Sequence, residues 1–497
     1  MNVLLINPPM EVPKKWGIPT VFQPLGIAYI AAVIQRDHTV KIIDANAEAW
    51  NQVAENNNKY CMGLSLEEIS NKIIDFNPDI VGITLPFSVV EKKSLEIASI
   101  VKKINKKIYT VLGGPGASVR PKELLKINDV DFIVIREGEE TFPELLNAIE
   151  LKKDFSNIDG IGYKSDKNEI LINSPRKLIS DLDKIKFPTR NLLPMKQYFS
   201  SAESMRGSRK SYLFNSNWAS MITSRGCPFG CTFCSVRLVM GRKFRARGPI
   251  NVVDEIEELI KKHKVKHINF EDDNLTFDRI RFQKIADEIK KRNLKFTWSA
   301  PNGIRADTLD EETVKKMKES GCRRVFVAPE SGSNRVLKEI IKKNMDLSKV
   351  IEAIKLLRKY KIIVDASFVI GMPGETKGEI LKTIEFAKEI KKLGVTDIGF
   401  NIATPIPGSE LYLTAIKKGY IKSIEVDKLS ANEPLIETPE WTKEEIKKLQ
   451  LKGIRETRHP MERFKNIILH IIRNPNILFK RNFHNQLLRK LFQNVKN

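Results

Sequence analysis

Short, continuous apolar runs alternate with amphipathic stretches along most of the chain, and this alternation limits the fold more than any other feature. Within residues 1–150 the runs NVLLIN, TVKIID, DIVGIT, IYTVLG and DFIVI alternate with segments such as PLGIAYIAAVIQ and EKKSLEIASIVKKIN. The latter place apolar residues at i, i+3 and i+4, the period of a helix. Runs that are apolar throughout suit strands covered on both faces, so this part is read as a doubly wound, Rossmann-like parallel sheet. Such sheets bind ligands beyond the C-terminal ends of their strands. The loops expected there are Pro8–Pro9, Asp44–Asn46, Leu85–Ser88, Gly113–Ser118 and Glu137–Glu140.

Residues 151–215 are less regular and read as a linker with one small hairpin, IDGIGYKSDKNEILINSPRK. A second series then runs from 216 to 422, with strands ASMITS, HINFED, KFTWSA, RRVFVAPE, IIVDASFVIG and DIGFNIA. Six strand–helix units predict a partial, TIM-like (β/α)6 barrel, whose functional residues belong at the strand C-termini. The unusual stretches fall there in order: a cysteine cluster, EDDN, PNGIRAD, PESGS, GMPGET and TPIPGSE. Residues 423–497 read as a helical, basic C-terminal region. From Lys452 onward it carries 11 Lys and Arg against two Glu, with apolar stripes at Phe464, Ile467, Ile468, Ile471, Ile472 and at Leu487, Leu488, Leu491, Phe492.

Composition narrows the function classes. A 41% hydrophobic and 29% charged chain of 497 residues is long enough to bury a large core, so a disordered protein is excluded. No apolar run spans a bilayer, and the start MNVLLINPP reads as a strand rather than a signal peptide, which points to the cytoplasm. The net charge of +23 suits an anionic partner but names none. Five cysteines, three of them within eight residues, argue against a disulfide framework. Cys61 and Cys322 are isolated and read as small buried or half-buried side chains.

The cluster itself is RGCPFGCTFCS, with Cys227, Cys231 and Cys234 spaced CxxxCxxC. Three thiolates on one loop suit a metal site. Structural zinc wants four ligands, and no second pair lies nearby; His263 and His267 sit on a helix and a strand edge. A cubane 4Fe–4S cluster also takes four ligands, so three would leave one iron open to a substrate or cofactor. The spacing, with Phe233 before the last cysteine and the strand-end motifs downstream, resembles the radical S-adenosylmethionine (SAM) enzymes. The resemblance implies that Cys227, Cys231 and Cys234 hold a 4Fe–4S cluster and that its open iron chelates SAM. Reductive cleavage of SAM would then yield a 5′-deoxyadenosyl radical. It further implies SAM contacts at Phe233, at Glu271, Asp272 and Asp273, at Glu330, Ser331 and Ser333, and at Gly371 and Gly374. Each position also has a plain structural reading: the acidic trio as a helix N-cap, GMPGET as a turn, Arg305 as an ion pair.

The N-terminal series resembles the cobalamin-binding domain found before the barrel in cobalamin-dependent radical SAM enzymes. That resemblance implies a cobalamin bordered by Pro9, Asp44, Thr84, Leu85, Pro86, Gly113, Gly114, Gly116, Ser118 and Glu137. The DxHxxG motif that supplies a cobalt-ligating histidine elsewhere is absent; His38, before a strand, is at the wrong end of the sheet. The implied activity is methylation, or another C–C bond formation, at an unactivated carbon of a small molecule. A lipid is included if the basic tail docks on an anionic membrane rather than packing on the barrel. An electron donor such as a flavodoxin or ferredoxin is implied as a partner. Two rivals stand beside this reading. An RNA-modifying, methylthiotransferase-like enzyme would use the positive charge, but extra N-terminal cysteines and an RNA module are missing, which disfavours nucleic acid. A non-catalytic cluster protein would leave the strand-end motifs without a use.

Overall fold

The computed structural model describes residues 1–14, 21–56, 59–86, 90–204, 217–421 and 429–458. The first sheet contains β1 (Asn2–Asn7), β2 (Thr39–Asp44), β3 (Ile80–Thr84), β4 (Tyr109–Gly113), β5 (Phe132–Val134), β6 (Ile161–Lys164) and β7 (Ile170–Ile172), in the spatial order β7-β6-β5-β4-β3-β1-β2. Strands β1 to β5 are parallel. Their side chains are buried on both faces, in two separate apolar clusters, which is why their sequences are apolar throughout. The order reverses at β1, so the crevice between β1 and β3 is the topological switch point.

The sheet does not end at residue 150. The hairpin of β6 and β7 joins β5 in antiparallel fashion and forms the sheet edge. Tyr163 on β6 packs with Phe132 and Phe155, so the three-residue β5 gains an aromatic cover. The remainder of the expected linker is packed rather than loose. Arg190 is buried and paired with Glu255 at 2.8 Å, and the Tyr198 hydroxyl donates to Asp44. A small antiparallel sheet of Met10–Pro13, Lys59–Met62 and Val53–Asn56, with no strong sequence signal, flanks the strand ends.

The second sheet is an arc of six parallel strands in sequence order: β8 (Trp218–Met221), β9 (His267–Phe270), β10 (Thr297–Ile304), β11 (Cys322–Glu330), β12 (Ile363–Ile370) and β13 (Asp397–Ile402). The largest apolar cluster lies between the arc and its outer helices, and Cys322 is part of it. The helix Lys443–Thr457, opened by a Thr442–Glu445 capping box, packs on this domain through the fully buried Ile446. The apolar stripes expected from Phe464 to Phe492 lie outside the described residues. Among the described residues no helix is long and apolar enough to cross a membrane.

Candidate active site

The three thiols sit on the loop after β8. Its base is pinned where Ser224–Arg225 pairs with Arg245–Ala246. Gly226 takes a positive φ of 82°, and a Cβ there would lie 2.5 Å from the Lys243 carbonyl oxygen. Only glycine fits so close an approach. Further along, Thr232 donates its amide to the Ile341 carbonyl (3.0 Å) and its hydroxyl to that of Ile340 (2.9 Å). Arg305 stacks 3.5 Å above the Phe229 ring, binds Asp307 and donates to the Lys343 carbonyl. The loop is thus shaped by protein contacts.

Burial pushes all three thiols up, Cys234 to about 12; the backbone amides of Phe229 and Val236 act in the opposite direction on Cys227 and Cys234. Lys343 and Arg305 lie close enough to Cys227 and Cys231 to favour their thiolate forms. Free, half-buried thiols with amides and cations around them fit an anionic iron–sulfur cluster. Among the described residues no group of three or more His, Cys, Asp and Glu is arranged to hold a metal ion. His267 is no candidate ligand: it is buried, hydrogen-bonded to Thr297 at 2.7 Å, and pushed down to about 4 by burial.

The acidic trio after β9 divides three ways. Glu271 is pushed up to about 7 by burial, and its carboxylate accepts from the Ser220 hydroxyl at 3.1 Å. Asp273, raised to about 6 by burial, accepts the Gly226 amide at 3.0 Å and so faces the thiol loop. Asp272 points inward, fully buried, and accepts from the Thr223 amide and from the hydroxyls of Thr223 and Ser224. It ties the loop to β9, and its oxygens are not turned to a ligand. The trio is not an N-cap either, since Asp278 caps the next helix.

After β11, Glu330 adopts a positive φ of 69° and is buried against the Lys343 ammonium at 2.8 Å. Ser331 and Ser333, expected to offer hydroxyls to SAM, are turned into the protein: Ser331 bonds Thr383, and Ser333 donates to Glu379. After β12, Gly371 and Gly374 turn with φ of 81° and 86°. The buried Glu375 accepts the amides of Gly371 (2.8 Å) and Met372 (3.1 Å), and burial pushes its carboxyl up to about 8. Phe233 is half-buried against the barrel core. Sequence reasoning did not single out Lys343 or Glu375. Glu375 lies within GMPGET and was accessible to a motif reading, whereas Lys343 carries no local signal.

A cavity of about 350 Å³ lies over the C-terminal ends of β1, β3, β4 and β5. Of the residues expected to border a cobalamin, Thr84, Pro86, Gly113, Gly114 and Glu137 line it. Pro9, Asp44, Leu85, Gly116 and Ser118 do not. Asp44 is fully buried against Asn7 and Tyr198. A Cβ on Gly116 would strike the Leu85 side chain at 2.1 Å, so that pair closes the turn beneath the cavity. Ser118 donates to the Gly114 carbonyl, and Pro9 is buried. The lining is largely apolar, contains no histidine, and includes Gly82, Gly113 and Gly114, so its floor lacks side chains where a flat macrocycle would lie. These residues fit a cobalamin that receives no imidazole from this domain.

The far wall of the cavity belongs to the barrel: Ile222, Arg225, Val239 and Met240. Arg225, next to Gly226, is 6% exposed and binds Glu137 at 2.9 Å and Glu139 at 2.5 Å. Arg245 also binds Glu137, at 2.8 Å. A buried ion network therefore joins the thiol loop to the N-terminal sheet.

The Radical SAM superfamily model matches residues 221–387, and the B12 binding domain model matches residues 18–146. An "Uncharacterized methyltransferase PH0819" of Pyrococcus horikoshii is 34% identical over 91% of this chain and 91% of its own. The cytidylyl-2-hydroxyethylphosphonate methyltransferase of Streptomyces wedmorensis is 30% identical over 92% of this chain and 89% of its own. Among solved structures, the radical S-adenosylmethionine methyltransferase TsrM from Kitasatospora setae, with cobalamin and a [4Fe-4S] cluster bound, superposes with a TM-score of 0.66 at 17% identity, over 85% of this chain and 76% of that one. The fold and site define a two-cofactor enzyme built from a B12-binding domain and a radical SAM barrel. The chain belongs to the cobalamin-dependent radical SAM family, whose curated members are named as methyltransferases and as cyclases. Its cofactors are a 4Fe–4S cluster, SAM and cobalamin, and a non-catalytic role is set aside.

Proposed function

We propose that this enzyme methylates a carbon of a small, polar molecule bound in the mouth of the barrel. The observation that carries the reading is the shared wall: Arg225 adjoins the thiol loop and also lines the cavity over the N-terminal sheet. When bound, the cluster and SAM supply a radical able to remove a substrate hydrogen atom, and cobalamin supplies the methyl group. The chain's own residues position these groups. Asp273 and Arg305 hold the thiol loop, Lys343 fixes Glu330 beside it, and Glu375 locks the Gly371–Met372 turn. Glu271, near 7, can hold or release a proton at neutral pH beside Ser220.

The strand alternation supports a polar substrate. Ile268, Phe270, Trp298, Ala366, Phe368 and Phe400 belong to the apolar cluster on the helix side. Their neighbours Asn269, Ser299, Ser367 and Asn401 therefore face the interior of the arc. The buried Ser299 hydroxyl has no partner among the described residues, as expected of a group kept for a ligand or water. Such an interior favours a hydrogen-bonding molecule over a hydrocarbon, and one curated relative is named for a cytidylyl phosphonate. The lipid alternative rests on the tail beyond residue 458.

The test is anaerobic reconstitution with iron, sulfide and cobalamin, then incubation with a reductant, methyl-labelled SAM and cell extract divided into polar and lipid fractions. Label is expected in the polar fraction together with 5′-deoxyadenosine. Label confined to the lipid fraction would reverse the substrate class, and a protein binding zinc but no iron would end the radical reading.

A further inference from the structure

The thiol loop continues into a surface patch that the chemistry above does not use. Phe229, between Cys227 and Cys231, meets Phe277 edge to face with ring centroids 5.9 Å apart, and Phe277 packs on Phe244 at 4.9 Å. Phe277 is 38% exposed, and Ile280, three residues further at the start of the helix Arg279–Lys291, is 67% exposed. Arg242 and Lys243, two residues before Phe244 and next to it, are exposed and carry no ion pair or hydrogen bond from their side chains among the described residues. Their turn lies directly on the thiol loop: the Cys227 amide donates to the Gly241 carbonyl at 3.4 Å, and the Lys243 carbonyl abuts Gly226. By contrast Arg279, beside Ile280, is already paired with Asp310 at 3.0 Å.

A row of aromatic rings thus runs from the thiols to the surface, where two exposed apolar side chains stand beside two unpaired cations. An apolar centre with a charged rim is the anatomy of a transient protein interface, and free cations steer an anionic partner. We propose that this patch, Phe277 and Ile280 with Arg242 and Lys243, is the docking site of an acidic one-electron carrier protein of the flavodoxin or ferredoxin kind. The carrier loses one electron, the cluster gains it, and no atom or proton crosses. The proposal rests on the cluster assignment above. Electron tunnelling weakens steeply with distance, so contact beside Phe229 places the donor where transfer is fast.

The experiment uses the reconstituted full-length holoenzyme and a reduced, acidic flavodoxin, with cluster reduction followed by anaerobic stopped-flow absorbance. In the native protein the second-order rate should fall as salt is added. The double substitution Arg242→Glu with Lys243→Glu should lower it by about tenfold or more and remove the salt dependence. Ile280→Glu, at a solvent-facing helix position, should slow it without changing iron content. Reduction by photoexcited, uncharged deazaflavin should be the same in every variant. Native rates with flavodoxin in both variants, or equal losses with both reductants, would refute the docking site. So would variants that lose binding to a single-stranded RNA while keeping their electron-transfer rate. A native protein that reconstitutes without iron would instead remove the cluster assignment, and the docking site with it.

Discussion

Glu375 is one of several buried carboxyls that shape the pH response of this protein, with Glu271, raised to about 7, and Asp273, raised to about 6, acting in the same direction. The folded value of Glu375, near 8, lies above the 4.5 of an exposed glutamate because burial disfavours the charge. Between those values the folded chain keeps a proton that the unfolded chain has released, so raising the pH through this window lowers stability. Glu375 should therefore contribute a decline in melting temperature between about pH 5 and pH 8, and Glu375→Gln, which stays neutral, should make that decline shallower. A decline unchanged in the variant would show that other groups, not Glu375, are responsible. At the thiol loop, Cys231→Ala should abolish iron binding by the reconstituted protein while its circular dichroism stays native; full iron content would remove Cys231 from the ligand set. Residue-level legibility followed locality. The CxxxCxxC spacing lies on one loop and is visible in the sequence. The inward turn of Asp272, Ser331 and Ser333 depends on partners such as Thr383 and Glu379, about 50 residues from the two serines, and no local pattern reports it.

Between elements, one joint is the network of Arg225, Arg245, Glu137 and Glu139, all no more than 9% exposed. Removing one partner of a buried pair costs about 3–5 kcal/mol because the other charge is stranded. Glu137→Gln leaves Arg245 without its carboxylate and Arg225 with only Glu139. Urea denaturation should register a loss of that order, and a change below about 1 kcal/mol would mean that solvent reaches the site. The helix Lys443–Thr457 offers a second check. A Cβ on Gly453 would lie 2.8–2.9 Å from atoms of the Phe400 ring, so Gly453→Ala should destabilise by about 1–3 kcal/mol despite its better helix propensity. The strands and helices of both sheets were legible because burial on both faces leaves continuous apolar runs. The hairpin β6–β7 was visible as a hairpin but not as a sheet edge, since its attachment depends on Phe132 and Phe155. The small sheet of Met10–Pro13, Val53–Asn56 and Lys59–Met62 went unread, being short and polar.

At the scale of the whole molecule, the thiol loop and the cavity over the first sheet are one construction, since that cavity is closed by the barrel. Cobalamin added to the apo protein should take no histidine on its cobalt, because no histidine among the described residues lines the cavity; a histidine-ligated spectrum would contradict that lining. The six-strand arc, unlike a closed barrel, has two raw edges, and each is finished by a glutamine from outside it. On β8, the Gln23 amide donates to the Trp218 carbonyl and accepts from the Ser220 amide, both at 3.1 Å, as a neighbouring strand would. On β13, Gln450 donates to the Phe400 carbonyl at 2.8 Å, and the Ile402 amide reaches the Ala431 carbonyl at 2.6 Å. Open strand edges recruit other chains. The barrel therefore borrows its solubility from both flanks. A fragment cut at 216 and 422 would expose two templates for intermolecular pairing and should be recovered as aggregate, even though every residue of the thiol loop is in it.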